Sequence, residues 1–266
     1  MPYGAGQSAR APYKVLVADT LAGMDDVEYE DLEALWRALE PSLAGANSLE
    51  AAVGLFTDAL YERFAPSVAL ARVFGTVELH QLPDEDRIFV ERVAASTVGT
   101  EMLTAATPVL SLLASRGIED EWNDRRRSRD HLGIPLLSER FVAEIPMISR
   151  LLNEIGFAPA WSGSESGFVT KTLANVNGIF YVGDARTAVD DRDRNIIPAT
   201  GFVERYGIKT VFGFGGSYLG RHMFISAIVF CREEIARSQA MRFVPLIGSL
   251  KAATTRLVNR GAFFAT

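Results

Sequence analysis

Leu32, Leu35, Trp36, Leu39 and Leu43 recur at the spacing of one helix face and predict an early helix. Asn47, with Glu50 three residues on, resembles a capping box. Behind it, Leu49, Ala52, Val53, Phe56, Leu60 and Phe64 form the buried stripe of a second helix. PSVALARVFGTVEL (66–79) is rich in β-branched and aromatic residues and predicts a strand. Pro83 and Asp84 open a third helix, with Ile88, Phe89 and Val93 expected to face inward. TPVLSLLAS (107–115), bounded by Pro108 and Gly117, is a short apolar run and predicts a second strand. Ser138 then caps a helical pattern of Phe141, Val142, Ile145, Ile148, Leu151, Leu152 and Ile155, ended by Gly156. Pro146, lacking an N–H and clashing with the preceding turn, should kink or split it.

Residues 157–178 are polar and rich in glycine and serine, a loop with one short helix near Lys171–Ala174. GIFYVGDA (178–185) predicts a strand, TAVDDRDRN (187–195) a charged connection, and ATGFVERYG (199–207) a short amphipathic helix ended by Gly207. IKTVFGFGG (208–216) and HMFISAIVFCRE (222–233) predict an antiparallel hairpin through a tight SYLGR connector. A final helix over Arg237–Val258 should bend at Pro245. Near the start, KVLVAD (14–19) reads as a short strand, and residues 1–13 as a disordered tail. Helices, strands and helices in this order predict an α+β fold with a mostly antiparallel sheet.

Composition narrows the function classes. The chain has 266 residues, 48% hydrophobic and 23% charged, enough to bury a core without a disulfide or metal staple. Its net charge is −6, which argues against a broad nucleic-acid face. A single cysteine, Cys231, excludes an internal disulfide, a CxxC pair and a multi-cysteine zinc site, and points to a reducing cytoplasm. The N-terminus lacks the apolar region of a signal peptide, and the apolar runs fall short of a membrane span.

FYVGDA, GFVERYGIKTVFGFGG, LGRHMFISAIVFCREEI and the closing helix 237–258 resemble the C-terminal half of a GAF domain, a small-molecule sensor module. The helix 47–64 and strand 66–79 resemble that family's opening helix and strand. The chain also resembles N-terminal GAF-like regions of bacterial sensor kinases. The resemblance implies a GAF/PAS-like sheet flanked by helices over residues 47–260, preceded by an N-terminal helical extension over 14–46. It implies ligand sensing, signalling or dimerisation and names no cofactor. The cyclic-nucleotide signature of asparagine, lysine, phenylalanine, aspartate and glutamate is not legible, and Cys231 stands inside a strand, not at a chromophore-attachment position.

EWNDRRRSRDHLGIP (121–135) is the densest cluster of polar chemistry. In the GAF resemblance it falls beside the ligand cavity, between the sheet and the segment 116–148. Arginine forks suit carboxylate or phosphate, so two inward-facing arginines would imply an anionic ligand. Against that stands local pairing with acids on a solvated surface. The candidate ligand-binding residues are Trp122, Asn123, Arg126, Arg129 and His131, with Tyr181, Asp184, Phe212 and Phe214 from facing strands. Trp122 caps a core or stacks on a planar ligand. His80, His131 and His222 form no metal-ligand spacing, so no metal site is assigned. FGFGGSYLG (212–220) has no Walker pattern and reads as a hairpin more than a phosphate cradle. No GxSxG elbow occurs, and one buried thiol does not supply thiol-based reduction. No catalytic residue is assigned. The function expected is a sensory domain, either stand-alone or truncated, or acting through a homodimer or a signalling partner. The alternatives are an interaction module whose pocket its own side chains fill, and an enzyme of unrecognised type.

Overall fold

The computed structural model describes residues 23–97, 103–128, 131–157, 177–220 and 223–265. The tail, the strand over 14–19, the helix near Lys171, His222 and Arg129 lie outside them. Two helices lead, α1 (Tyr29–Ala44) and α2 (Leu49–Arg63). Strand β1 (Val68–Glu78), helix α3 (Asp84–Thr97), strand β2 (Pro108–Gly117) and the short β3 (Gly133–Pro135) follow. Then come α4 (Glu139–Ala143), α5 (Pro146–Ile155), β4 (Asn177–Val182) and α6 (Thr200–Arg205). The hairpin β5 (Thr210–Ser217) and β6 (Phe224–Cys231) precedes α7 (Arg237–Arg242) and α8 (Val244–Asn259). The six strands form one sheet in the order β3-β2-β1-β6-β5-β4, and every pairing is antiparallel. This is an α+β fold with helices on both faces of the sheet.

Alternation along each strand sorts the side chains into two cores. On one face Val73, Val77, Phe212, Phe214, Ala227 and Val229 pack under α1, α2, α7 and α8. On the other, Leu70, Phe74, Leu112, Phe180, Ile228 and Phe230 pack under α4, α5 and α6. Phe243, fully buried where α7 meets α8, is the hub of the first core. Its ring lies 5.5 Å from Phe64, 5.3 Å from Phe212 and 5.9 Å from Phe214. α1 shares this core through Leu32, Leu35, Leu39 and Leu43.

Several local expectations hold in detail. Ser138 Oγ accepts from Phe141 N at 3.1 Å and caps α4. Pro146 splits the pattern and becomes the first residue of α5, where its missing N–H costs nothing. Gly156 ends α5 at φ 79°, a left-handed conformation that a side chain disfavours. The break expected at Pro245 separates α7 from α8. The hairpin closes through Tyr218 N, which donates to Met223 O at 2.8 Å.

Three expectations need correction. The cap of α2 is Ser48, whose Oγ accepts from Ala51 N, and not Asn47; Glu50 is engaged elsewhere. Ile88 is 56% exposed, because Phe89, Val90 and Ala94 form the inward stripe of α3 and Ile88 stands one step off it. Strand β3 is an addition, three residues that pair with β2 through Val109, Leu110 and Ser111.

We expect Phe243→Ala to cost about 3–5 kcal/mol in urea unfolding, because it empties the aromatic hub. Ile88→Ala should stay within about 0.5 kcal/mol, as for other surface positions.

Candidate functional site

A cavity of about 460 Å³ lies between the second face of the sheet and the segment that carries the arginine cluster. Its floor is Leu70, Arg72 and Phe74 of β1 with Ile228 and Phe230 of β6. These positions share a face because β1 and β6 pair in register, Arg72 opposite Ile228. One wall is Trp122, His131, Gly133 and Ile134. Ile145, Met147 and Ile148, where α4 gives way to α5, form another. Ile197, Pro198, Ala199 and Phe202 close the third side.

Each wall is held by identifiable contacts. The Trp122 ring packs edge-on against Tyr206 at 4.8 Å and Phe202 at 5.6 Å, and Phe202 meets Phe230 at 5.3 Å. Trp122 also lies against the Gly117 backbone, where a Cβ would stand 2.6 Å from the ring. Asn123 Oδ1 accepts from Gly117 N at 2.9 Å, pinning the turn to the end of β2. On the third side, Arg194 clasps the connection before α6 to the end of α4. Its Nη1 donates to Glu144 Oε2 at 2.8 Å, its Nη2 to Ala143 O at 2.6 Å, and its Nε to Asp190 Oδ2 at 2.9 Å. The backbone N–H of Arg194 and its guanidinium hold the Asp190 carboxyl down at about 2, so the clasp stays charged at neutral pH.

The expected ligand residues divide. Trp122 and His131 line the cavity. Asn123 supports the wall from behind, and Arg126 is exposed, 3.6 Å from Glu50. Tyr181 and Asp184 line a separate open cleft of about 490 Å³ with Arg186, Lys209, Thr210 and Glu234. There the polar groups are already engaged by the protein: Tyr181 OH donates to Ile235 O, and Asp184 accepts from Arg186 and Thr187. Those bonds, the Arg186 N–H first, hold the Asp184 carboxyl below its usual range. Phe212 and Phe214 face the opposite core, because alternation along β5 turns them toward Phe243. The single thiol, Cys231, is fully buried, and burial pushes its pKa far up, which removes it as a nucleophile in this fold.

Arg125, not foreseen, is the arginine that turns inward. Its Nε donates to Glu50 Oε1 at 2.6 Å and its Nη1 to Asp86 Oδ2 at 2.7 Å, while the guanidinium lies 5.0 Å from the Phe264 ring. Glu50 Oε2 also accepts from Ala265 N at 2.7 Å. The anion that this arginine binds is the protein's own. Burial raises the Asp86 carboxyl, and Arg125 offsets part of that rise; the two carboxylates in turn hold Arg125 charged. The other residue missed is Arg72, whose signal was present: it is the one charged residue between Ser67 and Glu78.

Arg125→Met should destabilise the fold by about 3–5 kcal/mol in urea unfolding, because it strands two shielded carboxylates. Replacing Asp86 with leucine in the same chain should recover part of that loss.

No family model matches the chain, and no curated protein matches it. Among solved structures, the phycoerythrobilin-bound GAF domain from a cyanobacterial phytochrome is similar at 10% identity and a TM-score of 0.46, over 88% of this chain and 98% of that one. The GAF domain of a phosphoenolpyruvate-protein phosphotransferase from Coxiella burnetii is similar at 12% identity and a TM-score of 0.44, over 89% and 100%. The corresponding Acinetobacter GAF domain is similar at 13% identity and 0.41, over 88% and 99%.

Proposed function

We propose that the chain is a small-ligand-binding sensory domain of the bacterial cytoplasm without a catalytic step of its own. The observation that carries this reading is the cavity over β1 and β6, about 460 Å³ and lined mainly by apolar and aromatic side chains. That size and lining suit a small molecule enclosed on most of its surface. The walls come from short elements and connections, which can adjust to an occupant more readily than the long helices on the opposite face. A ligand that prefers one arrangement of these walls shifts the population toward it.

The signal leaves, in this reading, through a second copy of the chain. The feature that favours this is a groove of about 410 Å³ between α1 and α8, lined by Tyr29, Trp36, Pro245 and Leu246 among others. Tyr29 at its edge remains 52% exposed.

Nile red, a neutral dye that brightens in apolar surroundings, should bind the wild-type protein and quench Trp122. Met147→Trp, which fills the cavity from one wall, should abolish that binding while leaving the circular dichroism unchanged. Equal binding by both proteins would place the dye elsewhere and remove the cavity as the ligand site. For the output, light scattering over a concentration series should show a dimer that Tyr29→Glu dissociates. A monomer throughout, with and without dye, would refute the second-copy reading.

A further inference from the structure

We propose that the occupant of this cavity is an uncharged molecule built around an aromatic ring system, recognised by the rings of the lining and not by a charged group. The proposal rests on the reading of the cavity as the ligand site and adds the chemical class.

The charged groups of the lining are already in use. Among the described lining residues none is acidic, and the titratable side chains are Arg72 and His131. Both are engaged within the protein. The polar groups behind the walls are used in the same way. Asn123 Oδ1 accepts from Gly117 N at 2.9 Å, and the hydroxyl of Tyr206, whose ring packs on Trp122, donates to Glu119 Oε1 at 3.0 Å. Arg194 bonds Asp190, Glu144 and the carbonyl of Ala143. A charge brought among the remaining hydrocarbon surfaces would lose its hydration, and would meet a counter-charge only by breaking one of these contacts. An uncharged occupant avoids that cost.

A second observation is the geometry of the rings. Phe74 and Phe230 on the floor, with Trp122 and Phe202 on two of the walls, bring aromatic side chains to several sides of the cavity. Phe202 stands at 89° to Phe230 with centroids 5.3 Å apart, and at 62° to Trp122 with centroids 5.6 Å apart. Two lining rings that are nearly perpendicular form a corner. A flat ring placed in it can lie offset on one face and edge-on to the other at once, and these are the two arrangements that aromatic pairs prefer. A saturated body of the same size gains the burial but not the ring contacts. Met147 on the remaining wall adds a thioether, which packs well against a ring edge.

The test displaces Nile red from the wild-type chain at neutral pH with four bicyclic probes: naphthalenemethanol, naphthoic acid, naphthylmethylamine and the saturated decahydronaphthalenemethanol. The aromatic alcohol should displace the dye at the lowest concentration, and the acid and the amine should each need about tenfold more, because each carries a charge into an apolar site. The saturated alcohol should fall between them. It is the more water-averse of the two alcohols, so burial alone predicts the reverse order. Phe202→Leu should weaken the aromatic alcohol about threefold to tenfold, the scale of one lost ring pair, and leave the saturated one unchanged. If the acid or the amine displaces the dye as well as the aromatic alcohol does, the uncharged assignment falls while the cavity stands. If the saturated alcohol does as well, or Phe202→Leu weakens both alcohols alike, the ring assignment falls. If Nile red does not bind the wild type, the site itself falls and the ligand class with it. The wild-type ranking of the four probes decides the class even if Phe202→Leu does not fold.

Discussion

A six-stranded sheet whose middle strands are apolar on both faces has to be covered twice, and everything else in this molecule follows from how unequally that is done. All eight residues of β6 are buried, so neither face can be left to water. One face receives α1, α2 and α8, of 16, 15 and 16 residues, which lie along it and close around Phe243. The other receives α4, α5 and α6, of 5, 10 and 6 residues, together with turns. Short elements cannot tile a sheet to the density of a helix layer. The gap they leave over β1 and β6 is the cavity, so its position is a property of the covering and not of any one residue.

The short layer is held by charged contacts to other parts of the chain. Arg125 provides one anchor. Its guanidinium gathers Glu50 at the start of α2, Asp86 in α3 and the ring of Phe264 near the end of the chain. Trp122 is three residues earlier and forms the cavity wall. The wall and the C-terminal residues are therefore joined through one short, charged turn. Arg194 provides the second anchor, tying the connection before α6 to the end of α4. Both anchors are arginine–carboxylate clasps. They hold loops by a few directional contacts, which constrains position without filling space.

Most of the architecture was legible from the chain because it rests on local periodicity. The stripe Leu32–Leu43, the alternation of 66–79, the Ser138 cap and the proline breaks each report a backbone conformation within a few residues of themselves. What was not legible depends on partners far away. Glu50 was read as a capping residue because Asn47 stands three positions before it, yet it bonds Arg125, 75 residues on. Asp86 and Arg125 are 39 residues apart, and no periodicity links them. Strand β3 is too short to show alternation at all; it exists because β2 offers it an edge. Phe212, Phe214 and Tyr181 were assigned to the cavity as residues of strands facing it. The face they take depends on register, which a count from either strand end does not supply.

Arg125 and Arg72 show how charge should be read in such a chain. In EWNDRRRSRDHLGIP the number of arginines suggested an anion site, and one of them does turn inward. Arg125, however, arrives among carboxylates already in place, and a guanidinium with two acidic partners has no capacity left for a ligand's anion. Arg72, a lone charge inside VALARVFGTV, lies on the floor of the cavity over β1 and β6. A dense cluster of mixed charge can satisfy itself, because both signs are at hand. An isolated charge in an apolar strand cannot draw on its neighbours in sequence, and its energetic cost has to be met by something that the fold brings to it.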